Sequence, residues 1–484
     1  MTICSLQFNH DQETKGRMIK MRMRKKIMSG VMAAILLCGL VGCGGPQKST
    51  SGKVRISCSN WANDTDPEGL KMMNDQKDKF MKQNPDIEII PDTYAYDPST
   101  FTLKAAANQL PTIYQTWFTD INQIIKAGNA ADITEEVRKY GYDSGVNPML
   151  IDMLTDDDGK FFAVPQDIYA QGLYIDKKLF EEAGLVNEDG SIMVPDSWED
   201  VGKFSKIIKE KTGKAGLVLP TTNNFGGWQF LNIAWAYGVN FVKQRSDGTW
   251  EATFDTQEAR DALQFVKDLK WKYDALVADT VIDAQAMWKY FGTYQGAMMI
   301  SNPPTNELCQ RYGMNIDDIF VTRIPKGPKG RYAQIGGSVF MFAPNATKEE
   351  IDAGFKWLQY KGYSPKVTDE QLESLREECE THVNRNLIVL DQDAINIWVD
   401  PETVNKRQAI RKEFTNIKHE NYEQYYAFDG VTILPEPEVC AQQLYGILDK
   451  CMQEVITNKD ANVDELIKTA CHDFQVNQLD KLDQ

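Results

Sequence analysis

The chain has 484 residues and a formal net charge of −16, with 42% hydrophobic and 25% charged residues. This balance is that of a globular protein long enough for two or three domains, and it excludes a low-complexity or disordered chain. Because a nucleic-acid partner needs clustered Lys and Arg, the acidic composition argues against one.

The chain begins with a leader pattern. A basic stretch, residues 20–26, precedes the short apolar run 27–41, and a small residue and Cys43 follow. Such a run is typical of a signal peptide and is shorter than a helix that spans the bilayer usually is. The small residues before the cysteine resemble the bacterial lipobox. We therefore predict a signal peptide over 1–42, a lipid on Cys43 and a flexible tether over 43–52; a plain signal peptide or a single-span anchor is the alternative.

Strands and helices alternate after the tether. Apolar runs predict strands at 54–58, 87–90, 112–117, 161–164, 173–175, 216–219, 297–300, 320–323 and 335–343. Capping residues and helical periodicity predict helices starting near Asp66, Pro98, Asp120, Ser197, Thr256 and Thr347, and four more at 368–383, 405–417, 438–457 and 462–479. This alternation predicts an α/β architecture, in which ligands collect at the carboxyl ends of strands.

Six cysteines follow the tether, at positions 58, 309, 379, 440, 451 and 471, without any CxxC pair. Their wide spacing argues against zinc. Cys440 and Cys451 lie on one predicted helix about 16 Å apart, which is beyond disulfide reach. We predict buried free thiols.

Enzyme motifs are missing from the sequence. No GxxxxGK[ST], GxSxG or GxGxxG pattern occurs, and the run from His419 to Glu423 begins like HExxH but ends in Glu. We therefore expect no cofactor, no metal site and no enzymatic activity. A glycosidase would need only a carboxylate pair, and this alternative stays open at this stage.

The distribution of tryptophans is the main feature of the sequence that favours a binding site. Trp61, Trp117, Trp228, Trp235 and Trp288 are concentrated at predicted loop positions or element ends. A sugar ring has an apolar face of C–H groups and a rim of hydroxyls, so its natural site is an aromatic platform with a few polar groups. Each tryptophan taken alone is equally consistent with core packing.

One long segment carries a family resemblance. It reads GKFFAVP at 159–165, GLYIDKKLFEEAGL at 172–185 and PDSWED at 195–200. This order resembles the extracellular solute-binding proteins of sugar ABC transporters, the family of the maltodextrin-binding protein. The runs YQGAMM at 294–299 and PKGPKG at 325–330 agree with it. After Met299 the family often has a tryptophan where Ser-Asn-Pro-Pro stands here, and residues 361–400 match nothing in the pattern, so an insertion is one interpretation.

The resemblance implies a two-lobe periplasmic-binding-protein type II fold with the ligand cleft between the lobes and a crossing-strand hinge. Lobe 1 would comprise 53–165 and 330–375, and lobe 2 would comprise 166–329 and 376–484. The crossings would fall near 163–172, 325–332 and 375, and hinge closure would bury the sugar. The candidate ligand-binding residues are Asn60, Trp61, Trp117, Asp120, Asp167, Tyr169, Trp228, Trp235, Trp288, Gly336 and Gly337.

The predicted function is that of a lipid-anchored monomer on the outer face of the cell membrane. It would capture a sugar or oligosaccharide and deliver it to the permease subunits of an ABC importer. The alternatives are an extracellular glycosidase and a binding protein for a non-sugar solute. A peptide site would need backbone-pairing edges or charge clamps, and an iron site clustered Tyr, His and Asp; neither pattern is visible.

Overall fold

Strands and helices alternate through the described chain, residues 52–482 of the computed structural model. The strands are β1 (Val54–Cys58), β2 (Ile87–Pro91), β3 (Ile113–Trp117), β4 (Ala163–Ala170), β5 (Gly172–Asp176), β6 (Val242–Gln244), β7 (Trp250–Ala252), β8 (Met298–Ser301), β9 (Ile319–Arg323), β10 (Arg331–Phe342) and β11 (Val431–Leu434).

The helices of the first half are α1 (Pro67–Gln83), α2 (Pro98–Ala106), α3 (Ile121–Lys126), α4 (Thr134–Lys139), α5 (Tyr142–Gly145), α6 (Pro148–Leu154), α7 (Lys177–Ala183), α8 (Trp198–Thr212) and α9 (Phe225–Tyr237). Those of the second half are α10 (Gln257–Trp271), α11 (Ala284–Gly292), α12 (Glu307–Gln310), α13 (Lys348–Tyr360), α14 (Asp369–Asn384), α15 (Pro401–Phe414), α16 (Glu423–Tyr426), α17 (Ala441–Thr457) and α18 (Val463–Asn477). None of these helices is both long and apolar enough to cross a bilayer.

A six-stranded mixed sheet forms the centre of the first lobe. Strand β1 pairs in parallel with β2 and β3, and the long strand β10 pairs antiparallel with β3 and β4 and parallel with β11. Side chains at alternating positions of β1 are buried, Ile56 and Cys58 among them, as expected where one face packs on the core. The long β10 therefore holds β11, β3 and β4 together.

A three-stranded antiparallel sheet forms the centre of the second lobe, with β5 between β8 and β9. All five residues of β5 are buried, so both faces of this strand are covered. Leu173 packs into the large hydrophobic core, whereas its neighbour Tyr174 packs into a separate cluster with Met299 and Val321. The two-lobe α/β fold predicted from the sequence is confirmed.

The chain passes from the first sheet to the second through a single residue, Gln171, between β4 and β5. The Gln171 backbone N–H donates to the Gln334 carbonyl on β10 at 2.9 Å. The Asn232 side chain of α9 donates to the Gln171 side chain and accepts from the Gln334 backbone N–H at 2.9 Å. All three residues are fully buried. These buried hydrogen bonds connect the crossing residue to β10 in the first lobe and to α9 in the second. Polar groups buried away from water are usually hydrogen-bonded in this way.

The predicted helix N-caps form as the sequence indicates. Ser197 with Asp200 and Thr347 with Glu350 make complete capping boxes at the starts of α8 and α13.

Other details differ from the prediction. Residues 216–219 make isolated bridges rather than a continuous strand. Cys440 lies outside α17, at its N-cap position, in a left-handed conformation and without a side-chain capping bond. The six cysteines of the described chain are unpaired, and five of them are buried. Residue 375, near which a crossing was predicted, lies inside helix α14.

Candidate ligand-binding cleft

A cleft of about 510 Å³ lies between the elements of the two sheets. Trp117, Gly337 and Ser338 reach it from the large sheet, and Trp228 and Trp288 from α9 and α11. These two helices belong to the second lobe, because Gln229 of α9 donates to a carbonyl of β8 at 2.8 Å and the Trp288 indole contacts Ser301 at 3.3 Å. A concave site of this size between two lobes is a usual place for a small-molecule ligand.

Aromatic rings line two sides of the cleft. Trp117 ends β3 and remains 38% exposed, packing edge-on against Tyr96 with ring centroids 5.2 Å apart. On the other side Phe225 packs against Trp228 at 5.0 Å and against Trp288 at 6.2 Å. Flat rings on facing lobes can cover both faces of a ligand ring when the lobes approach each other.

Glu436 lies at the edge of this aromatic wall. Its carboxylate accepts hydrogen bonds from the Trp228 indole N–H at 2.7 Å and from the Tyr445 hydroxyl at 2.8 Å. Burial raises the pKa of Glu436 to about 7, although these donated hydrogen bonds act in the opposite direction. A carboxyl group in this position offers acceptor oxygens to a ligand hydroxyl.

A second carboxyl group, Asp167, lies on β4 where the strand pairs with β10 opposite Ser338. Burial raises the pKa of Asp167 to about 6, against the lowering effect of hydrogen bonds from Ser338. Asn223, Asn224, Asn302, Asn306 and Gln442 also line the cleft. None of the described residues that line it is Lys or Arg. The cleft is therefore rich in acceptors and amides and carries no fixed positive charge.

Two glycines let β4 and β10 approach each other at this point. Gly337 has φ 151°, and a Cβ atom there would lie 2.2 Å from the Asp167 carbonyl oxygen. A Cβ atom at Gly336 would lie 2.7 Å from the Tyr169 ring. At Gly337 only glycine fits without displacing the neighbouring strand, whereas a side chain at Gly336 would have to displace the Tyr169 ring.

Residues 62–360 match the family model of the bacterial extracellular solute-binding proteins. The chain belongs to this family. Its members are solute-binding components of ABC importers and not enzymes, so the glycosidase alternative is not supported.

The solute-binding protein is 24% identical over 363 residues to a protein of Brucella abortus (strain 2308) described as a binding protein, covering 72% of this chain and 80% of the relative. Its fold is similar to maltose-bound MalE3 of T. maritima, with a TM-score of 0.64, 20% identity, and 87% and 99% of the two chains covered. It is also similar to UgpB from Mycobacterium tuberculosis in complex with glycerophosphocholine, with a TM-score of 0.67, 12% identity, and 90% and 100% covered.

The structure of the solute-binding protein brings six of the predicted ligand-binding residues together at the cleft. They are Trp117, Asp167, Tyr169, Trp228, Trp288 and Gly337. The ligand-binding roles of all the predicted residues stay predictions.

The other predicted residues lie away from the cleft lining. Trp61 is buried and stacks on Trp357 with ring centroids 6.2 Å apart, and Trp235 is buried on α9. Asp120 accepts from the Tyr96 hydroxyl at 2.8 Å and so supports the aromatic pair behind Trp117. Asn60 makes a left-handed turn after β1, and Gly336 packs under Tyr169. Cys43 lies outside the described residues.

Glu436 and Tyr445 line the cleft but were not among the predicted residues. Glu436 is 208 positions from its partner Trp228, in a short segment between two prolines that matches no motif. Phe225 and the two asparagines before it also line the cleft and were not among the predicted residues. A cluster of side-chain amides immediately before an aromatic helix was the available signal.

Proposed function

We propose that this solute-binding protein captures a neutral carbohydrate outside the cell and passes it to an ABC importer when its lobes close. The observation that carries the proposal is the pairing of tryptophans on facing lobes with carboxylates and amides between them. Such a lining fits a ligand that has apolar C–H faces and a rim of hydroxyls.

The charge of the cleft supports a neutral ligand. Asp167 and Glu436 lie on its wall, and the lining contains no described Lys or Arg. A carboxylate or phosphate group on a ligand would meet like charge without a cationic partner, which costs binding energy. Uronic acids, sulfated sugars and sugar phosphates are therefore poor candidates.

Closure about the crossing would couple capture to delivery. Ligand contacts on both lobes favour the closed state by the difference in affinity between the two states. We further propose that a lipid on Cys43 holds the protein on the outer face of the membrane, with residues 43–52 as the tether. Two acyl chains would give stable anchoring, whereas one would not.

A cationic headgroup is the second candidate ligand. Aromatic rings beside carboxylates also attract ammonium groups, and UgpB was solved with glycerophosphocholine. The phosphate of such a ligand would find no described cation on the wall of this cleft, which favours the carbohydrate.

Calorimetric titration of the compact unit Lys53–Gln484 against neutral sugars and glycerophosphocholine tests the proposal. Trp117→Ala should weaken sugar binding by about tenfold or more, since it removes a stacking platform. Trp271→Ala is the matched control: Trp271 is exposed to the same degree, 39% against 38%, but lies outside the cleft lining. Binding of glycerophosphocholine without any sugar would replace the proposal with the second candidate.

A further inference from the structure

A second compartment of about 340 Å³ adjoins the ligand cleft. Five residues line both spaces: Asp167, Tyr169, Asn302, Pro304 and Asn306. The two compartments thus share the end of β4 and the loop after β8 as a common wall. A ligand lying on the tryptophans would reach the second compartment by passing these five residues.

The far side of the second compartment is built by a late part of the chain. Helix α14 contributes four residues, the segment 388–394 contributes six and α15 contributes Arg411. All of these positions lie beyond residue 360, where the family match ends. The segment interpreted from the sequence as an insertion therefore supplies a wall that the matched family range does not include.

This wall is fixed to the rest of the cleft. The Ile388 backbone N–H donates to the Asn306 side chain at 2.7 Å, and the Asn386 side chain donates to the Cys309 carbonyl at 3.2 Å. Arg411 of α15 forms an ion pair with Asp393. Asn306 also lines the first compartment. These bonds therefore fix the position of the added wall relative to the cleft that contains the tryptophans.

The chemistry of the second compartment is mixed. Leu375, Val389 and Leu390 give it apolar surface, while Gln392 and His382 give it hydrogen-bonding groups. Its charged groups are both basic and acidic: Arg411, and the carboxyl groups of Asp167, Glu378 and Asp393. A lining with apolar surface, donors and acceptors suits another sugar unit better than a fatty chain or a single ion.

We propose that the second compartment binds a further unit of an oligosaccharide whose first units lie on the tryptophans. The ligand class is then an oligosaccharide rather than a monosaccharide. This inference rests on the proposed carbohydrate function. It assigns to residues 375–411 the role of making affinity depend on the number of sugar units in the ligand.

Length series of sugars test the inference by calorimetry on the unit Lys53–Gln484. Suitable probes run from glucose to maltotetraose, with the corresponding xylo- and arabino-oligosaccharides. The variant Ala394→Trp places an indole into the second compartment from a partly exposed position. The matched control Val399→Trp adds the same side chain five residues later, at a position that is 44% exposed and lines neither compartment.

In the unchanged protein, one series should gain at least about tenfold in affinity between the shortest sugar that binds and the tetrasaccharide. Ala394→Trp should abolish that gain while leaving the affinity of the shortest binder within about twofold, and Val399→Trp should preserve the gain. Sugar binding without any dependence on length, or a gain that Ala394→Trp leaves intact, would overturn the second compartment alone. Absence of binding by every sugar would overturn the proposed function and this inference with it.

Discussion

Replacing Glu436 by Gln should make the protein more stable at alkaline pH and leave its stability unchanged in acid. The carboxylate accepts from the Trp228 indole with one oxygen and from the Tyr445 hydroxyl with the other. A glutamine can keep both bonds, since its oxygen accepts from the indole and its amide donates to the hydroxyl oxygen. The substitution therefore removes a titratable group while it keeps these two hydrogen bonds.

The magnitude follows from the pKa of Glu436, which burial raises from 4.5 to about 7. At about 1.4 kcal/mol for each pKa unit, ionisation of the folded protein costs at most about 3.5 kcal/mol relative to the unfolded chain. Because the side chain lines an open cleft and keeps partial exposure, we expect about 1–2 kcal/mol.

The pH window follows from the same values. Below pH 4.5 the carboxyl group is neutral in both states and costs nothing. Between pH 4.5 and 7 the unfolded chain ionises while the folded protein keeps its proton, so the folded state loses stability as pH rises. Above pH 7 the loss of folding stability is complete. The glutamine variant has no carboxyl group at this position and does not undergo the loss.

Urea unfolding of the two proteins at a series of pH values from 4 to 8 measures this difference directly. The other carboxyl groups whose pKa burial raises, among them Asp120, Asp167 and Asp176, are present in both proteins, so their contributions largely cancel in the comparison. A difference in unfolding free energy that stays constant across the series would refute the assignment of a raised pKa to Glu436. A variant less stable than the parent at pH 8 would refute the claim that glutamine keeps both hydrogen bonds.

Two further predictions concern the backbone and the thiols. Gly337→Ala should lower the free energy of unfolding by about 1–3 kcal/mol more than the control Gly128→Ala, as measured by thermal or urea unfolding. Both positions have positive φ, but only at Gly337 would the added Cβ press against a backbone carbonyl. A thiol reagent should label the folded unit Lys53–Gln484 slowly, with Cys440 first, and should label six thiols after unfolding; fewer than six in unfolded, unreduced protein would reveal a disulfide.

The lobes and most of their elements could be predicted because their signals are local. Capping residues such as Ser197 and Thr347 mark helix starts through bonds to residues three positions away. Strand β5 is a continuous buried run, and the segment around it carries an ordered pattern that resembles the family. Such features need no knowledge of distant partners.

The cleft could be predicted only in part, because its polar half is assembled over long distances. Trp117 and Trp228 attract attention through their own chemistry, whereas Glu436 becomes recognisable only after β11 has placed it beside Trp228. Trp61 shows the opposite case: a tryptophan after a strand end looks the same in sequence whether it faces a ligand or, as here, stacks on another buried ring. Periodicity cannot separate Trp61 from Trp117, since both lie at or just past the end of a strand.

The position of β10 has a consequence for how the protein is made. Strands β1 to β4 lie within the first 170 residues, but the strand that joins β3 to β4 comes only at 331–342. Until that segment has been synthesised, β3 and β4 each present an unpaired edge that can associate with other chains. The first lobe therefore cannot fold in the order in which ribosomes produce it, and pairings across such long sequence separations form slowly. A chain truncated before residue 331 should consequently aggregate rather than yield a small folded lobe.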